Sequence, residues 1–157
     1  MTDQEKRQRD KAMRYLNMIR GACRRIKGIE EDLKELRKSR ISGVAFDDIH
    51  VQTSRIHTLD DVVIQIEKYE SSLGEEKTRL LAAINNIRRS LSRVPDLEQR
   101  ELLTDRYVRR ESWVTIANGF LGGESTMYRL HNAALLAFYE KNREEIEEYC
   151  HYSESWQ

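Results

Sequence analysis

The chain has 157 residues, of which 39% are apolar and 34% charged, and its mean hydropathy is −0.75. That balance is poorer in apolar and richer in charged residues than an ordinary globular domain, which excludes a thick core and favours elongated helices. No apolar run approaches the roughly 18 residues of a membrane span, and the opening MTDQEKRQRD has no signal-peptide apolar region, so a soluble, cytoplasmic chain is expected. A single proline points the same way as the charge, toward long helices. The formal net charge is zero, but residues 1–94 carry 20 Lys and Arg against 15 Asp and Glu, whereas residues 95–157 carry 7 against 12. The two cysteines, Cys23 and Cys150, match no metal or redox spacing, and Cys23 falls on an apolar stripe that reads as a buried structural thiol.

Residues 3–38 read as one helix. Met13, Leu16, Ile19, Cys23, Ile26, Ile29, Leu33 and Leu36 recur at spacings of three and four and form one stripe. Between 39 and 58 the period fails, and Ser42-Gly43, Asp47-Asp48 and the VQTS stretch predict a loop. His50 and His57 lie there without Cys or carboxylate partners at ligand spacing, so no metal is expected. Residues 59–93 give a second long helix with Asp60-Asp61 at its N-terminus, suiting the helix dipole. Its stripe runs Leu59, Val62, Ile66, Tyr69, Leu73 and resumes at Leu80, Ile84, Ile87, Leu91 after a phase shift near Gly74. Neither helix buries its stripe alone, so residues 1–94 are predicted to form an antiparallel hairpin, with further pairing into a homo-oligomer, a dimer first.

Val94-Pro95-Asp96 breaks the second helix and Asp96 with Gln99 restarts a new one, marking the predicted domain boundary. Three short helical patterns follow: residues 96–109; a segment capped by Ser112 with Trp113, Ile116, Ala117 and Phe120 apolar; and residues 124–142 after a Leu121-Gly122-Gly123 turn. Two short helices joined by a Gly-containing turn form a candidate helix-turn-helix over 95–142, a geometry that sends the start of the second helix into the DNA major groove. The last segment, 143–157, is predicted to be an acidic tail. The fold class expected is therefore all-α: a long N-terminal hairpin followed by a C-terminal helix-turn-helix.

The stretch LLTDRYVRRESWVTIANGFLGGESTMYRLHNAALLAFYE resembles sigma-factor region 4, and more closely the phage-encoded late-gene regulators of the RinA and ArpU type. The residues that carry the likeness are Asp105-Arg106-Tyr107, Ser112-Trp113, Ile116-Ala117 and Met127-Tyr128-Arg129-Leu130-His131. The YLNMIRGACRRI segment and the VQTS loop fit the same group. The resemblance implies a phage or prophage transcriptional regulator, an activator of late genes, that binds double-stranded DNA and has RNA polymerase as a second partner. By their own chemistry, Trp113, Ile116, Ala117, Met127 and Leu130 are the expected scaffold. Arg129 and Asn132 suit base edges, Ser125, Thr126 and Tyr128 suit phosphate oxygens, and Arg106, Arg109 and Arg110 suit the backbone charge. Glu124 departs from the basic residues of the relatives and repels phosphate, though it can accept from cytosine. Two further readings stand beside this one: a small terminase-like subunit that recognises DNA for packaging, and a protein-interaction module that has lost DNA binding. No nucleophile elbow, phosphate-binding Gly loop or paired carboxylates in an apolar setting occur, so neither an enzyme nor a cofactor is expected.

Overall fold

The computed structural model describes residues 1–46 and 59–155, with side chains at 1–39 and 60–155. Among the described residues every regular element is a helix: α1 (Asp3–Leu16), α2 (Met18–Phe46), α3 (Leu59–Leu91), α4 (Leu97–Leu103), a π-helical turn (Thr104–Val108), α5 (Trp113–Asn118), α6 (Gly123–Lys141) and α7 (Arg143–Ser155). None is long and apolar enough to cross a membrane. The all-α expectation is met.

The helix expected over 3–38 is two helices. Asn17, a weak helix former, closes α1 with ψ near 0°, and its N–H donates to the Met13 carbonyl at 2.9 Å. Thr2 and Glu5 form a reciprocal capping box at the start of α1, satisfying two backbone N–H groups that the helix itself leaves open. Residues 39–46, expected as loop, continue α2. Once a helix is nucleated, each added residue gains a backbone bond without a new nucleation cost, so propagation outlasts the loss of side-chain period. His50, His57 and the VQTS stretch lie outside the described residues.

The chain divides into two compact units, Met1–Gly21 with Leu81–Gln157, and Ala22–Leu80. In the Ala22–Leu80 unit, Arg25 bonds Glu76 at 3.1 Å and Arg37 bonds Glu70 at 3.0 Å. The partners rise along α2 as they fall along α3, so the two segments run in opposite senses. Leu33 and Ile66 are buried there, and Glu76, also buried, is held by both Arg25 and Arg79. Those arginine bonds keep its carboxyl below the usual range against the opposing effect of burial. Cys23 is half-buried rather than enclosed.

The other unit has the larger core. Ala12, Tyr15 and Leu16 of α1 are buried where that helix packs on α6 and α7, whose buried residues include Ala134, Leu135, Phe138, Ile146 and Cys150, and Ile19, Ile87, Leu91 and Val94 are buried in the same unit. The boundary expected at Val94-Pro95 is not where the units part. Pro95 ends the helix, yet Val94 is fully buried and its carbonyl receives both Nε (3.1 Å) and Nη2 (2.7 Å) of Arg100. One residue earlier, Arg93 bonds Asn142 at 2.8 Å and Glu145 at 2.6 Å. Asn142 in turn donates to the carbonyls of Ser90 (3.1 Å) and Phe138 (3.0 Å). The end of α3 is thus tied into the α6–α7 junction.

The predicted acidic tail is α7, a packed helix. Ile146 and Cys150 face the core, and Glu147 pairs with Lys11 at 2.7 Å, Glu154 with Arg14 at 3.4 Å and Glu145 with Arg93. The Lys11 bond, then a short Tyr139 hydroxyl bond, holds the Glu147 carboxyl below its ordinary range. We predict that Ile146→Ala costs about 2–4 kcal/mol in urea unfolding of the whole unit, because it empties a fully buried site. A solvated tail would give a change within about 0.5 kcal/mol.

Candidate functional site

The segment between Asp96 and Lys141 is assembled by local chemistry. The Asp96 side chain accepts from the Gln99 N–H at 2.9 Å to start α4, and Ser112 accepts from the Thr115 N–H at 3.2 Å to start α5. Between them the chain leaves α geometry: Arg109 N–H reaches back to Thr104 at 2.9 Å and Glu111 N–H to Asp105 at 2.9 Å. This wide turn ends at Arg110, whose φ of 60° is the one left-handed non-glycine conformation among the described residues.

A small cluster joins the pieces. Leu102, Ile116 and Met127 are buried together, with Trp113, Ala117, Phe120 and Leu130 packed against them. The expected scaffold residues are all in it. Residues 119–122 connect α5 to α6, and Gly122 is required there by close approach: a Cβ at that position would lie 2.1 Å from Thr126 Oγ1 and 2.7 Å from its Cβ. Thr126 Oγ1 donates to the Gly122 carbonyl at 3.1 Å, closing the turn onto the helix. Gly123, with φ of 71°, begins α6 in a conformation that side chains resist.

On α6 the residues at 125, 128, 129 and 132 follow helical spacing and share one face. Ser125, Tyr128 and Arg129 are exposed and Asn132 half-buried, while Met127, His131, Ala134 and Leu135 are buried on the other side. Thr126 is exposed, but its hydroxyl hydrogen is committed to Gly122. The Tyr128 ring leans on Trp113 with centroids 5.4 Å apart, which fixes its direction. Glu124 is exposed in the first turn of the same helix.

The three arginines expected to meet phosphate have different surroundings. Arg106 lies over the Trp113 ring, 4.5 Å from its centroid, and donates to the Glu111 carbonyl at 3.0 Å. Arg109 pairs with Asp105 one turn away, which cancels much of its charge. Arg110 is exposed and has no ion pair among the described residues. In the sequence the three are alike in charge, and their neighbours are what set them apart. On the α4–α5 side, Glu98, Glu101, Asp105 and Glu111 line a groove of about 510 Å³ that includes the wholly exposed Leu121.

His131 is the residue whose role the sequence concealed, since it lies within the resemblance but among apolar positions. It is buried, its Nε2 is 2.9 Å from the Tyr107 hydroxyl, and its ring stacks near Tyr107 and meets Trp113 edge-on at 4.6 Å. Burial first, then the charges of Arg106 and Arg9, push its pKa down to about 4, so the ring that shares this hydrogen bond with Tyr107 is neutral. Burial likewise pushes Tyr107 up to about 12. The folded His131 pKa lies below its unfolded value of about 6.5. Its contribution to stability is therefore complete above pH 6.5 and declines as pH falls toward 4. We predict a loss of about 2 kcal/mol between pH 7 and pH 5, measured as the difference in urea unfolding between wild type and His131→Gln at each pH. Equal pH dependence in the two proteins would remove His131 as the source.

No protein-family profile, curated protein or solved structure matches the chain.

Proposed function

We propose that the protein is a DNA-binding transcriptional regulator of a phage or prophage, in which α5, the 119–122 connection and α6 act as a sigma region 4-like helix-turn-helix. The observation that carries this reading is the division of α6: Ser125, Tyr128, Arg129 and Asn132 on an outward face, over a buried seat of Met127 and His131. A recognition helix needs that division, because its base-contacting side chains must be free while its angle is fixed from behind. In this reading Arg129 takes a guanine edge, Asn132 a base edge or phosphate, and the Ser125 and Tyr128 hydroxyls phosphate oxygens. Promoter activation, contact with RNA polymerase, and pairing of copies through the hairpin of α2 and α3 are parts of the same proposal, and they rest on the resemblance together with the long stripes of those helices.

A second reading, a protein-interaction module, is favoured by the four carboxylates around the α4–α5 groove and by Leu121 at its edge. Such a surface suits a basic, partly apolar peptide and repels a phosphate backbone.

Arg129→Ala separates them. Its side chain is exposed and makes no hydrogen bond among the described residues, so the variant is expected to unfold at the wild-type midpoint. We predict that it weakens specific binding to promoter DNA from its own prophage by about 1–3 kcal/mol in fluorescence anisotropy. No binding of the wild-type protein to that DNA at low salt would sink the regulator reading in favour of the interaction module.

A further inference from the structure

At the back of the π-helical turn, where the α1–α2 joint approaches it, Asn17, Arg20, Arg106, Tyr107, Arg110 and Ser112 line a pocket of about 230 Å³. Three of the six are arginines and none is a carboxylate, in contrast with the four carboxylates around the α4–α5 groove. Neither Arg20 nor Arg110 forms an ion pair among the described residues. Arg106 is held in place by the Trp113 ring and the Glu111 carbonyl, a bond that uses only its Nη1 and leaves other guanidinium N–H groups for a ligand. Arg110 is brought to the rim by the left-handed φ of 60°, and strained conformations of this kind gather at ligand clamps. Tyr107 supplies a ring wall while its hydroxyl stays with His131. The volume equals that of several waters, each about 30 Å³, enough for a tetrahedral oxyanion and its hydration.

We propose that this pocket binds a phosphate group through Arg20, Arg106 and Arg110, with Asn17 as an uncharged donor. Three guanidinium groups converging without a carboxylate repel one another, and one phosphate relieves that repulsion while accepting several charge-assisted bonds. Under the DNA-binding reading, on which only the source of the phosphate rests, the group belongs to the DNA backbone. The α1–α2 joint, distant in sequence from α6, then becomes a second contact with the duplex. Arg20 is the residue that sequence reasoning did not connect with this surface, because it precedes Arg106 by more than eighty positions.

The test uses the full chain, a random-sequence duplex of about 20 base pairs, and inorganic phosphate alone. Arg20→Ala and Arg110→Asn are the variants, asparagine being chosen because it tolerates left-handed backbone. Arg88→Ala, an exposed arginine of α3 outside the pocket, is the comparison. Urea midpoints identify any variant that fails to fold. Each pocket variant is expected to lower duplex affinity about three- to tenfold at 0.1 M salt and to reduce the slope of log K against log salt by about 0.9, the value of one lost phosphate contact. Phosphate alone is expected to shift the Nε–H resonances of Arg20, Arg106 and Arg110. Wild-type affinity and slope in both folded variants, or an equal loss in Arg88→Ala, overturns the pocket while leaving the DNA-binding reading in place. Failure of the wild-type chain to bind the duplex at 50 mM salt, with the phosphate shifts intact, overturns the DNA reading and leaves a site for free phosphate or a phosphorylated small molecule. Absence of both signals removes the two together.

Discussion

α6 is shared between two packings, and that constraint organises the Met1–Gly21 and Leu81–Gln157 unit. Its 19 residues span roughly 28 Å at 1.5 Å per residue. Near its start, Met127 closes the small cluster with Leu102 and Ile116. Farther along, Ala134, Leu135 and Phe138 sit against α1 and Asn142 locks the far end to Arg93 and Ser90. The orientation of the outward face at 125–132 is consequently set by contacts up to three turns away. A rigid helix anchored at both ends presents side chains with less loss of freedom than a helix held at one, which is the condition a surface needs if it is to read a shape.

Electrostatics are arranged by the same packing. The excess of base in the first half of the sequence and of acid in the second does not produce two oppositely charged regions. Lys11, Arg14 and Arg93 meet Glu147, Glu154 and Glu145 across the unit, so a good part of the asymmetry is spent internally. What is left over is local: carboxylates along the α4–α5 groove and guanidinium groups around the pocket behind the π-helical turn. Separation of the two signs within one small segment gives a partner a preferred orientation, which an average charge near zero cannot.

Much of the helical architecture is legible in the sequence because burial imposes a period on it. The stripes from Leu16 to Leu36 and from Val62 to Leu91, the Ser112 cap, the Gly122 turn and the scaffold of Trp113, Ile116 and Met127 are all local signals. What period cannot encode is the identity of the surface that covers a stripe. Leu16 and Ile19 lie on the same stripe as Leu33, yet the first two are buried in the unit that holds α6 and α7 while Leu33 belongs to the other. The joint at Asn17 is silent for the same reason, since it leaves the stripe in phase. At the candidate site, Ser125, Tyr128, Arg129 and Asn132 follow from spacing, whereas the hold on Arg106 depends on the π-helical turn, for which no short pattern exists. His131 escaped because a buried histidine looks, in one dimension, like any polar residue on a helix.

The unit containing α6 is made from both sides of the chain, with residues 22–80 between them. During synthesis α1 therefore emerges long before the helices that cover it. At about 5–20 residues per second, the interval before α7 follows is about 6 to 30 seconds. Until α6 follows, the side of α1 that meets it has no native cover, while its capping box and its Lys6–Asp3 pair support the helix locally. The Ala22–Leu80 segment, whose contacts are complete earlier, has the opportunity to form first. Closure of the larger unit then brings distant ends together late, a long-range step of the sort that slows folding and exposes a chain to chaperones and to its neighbours.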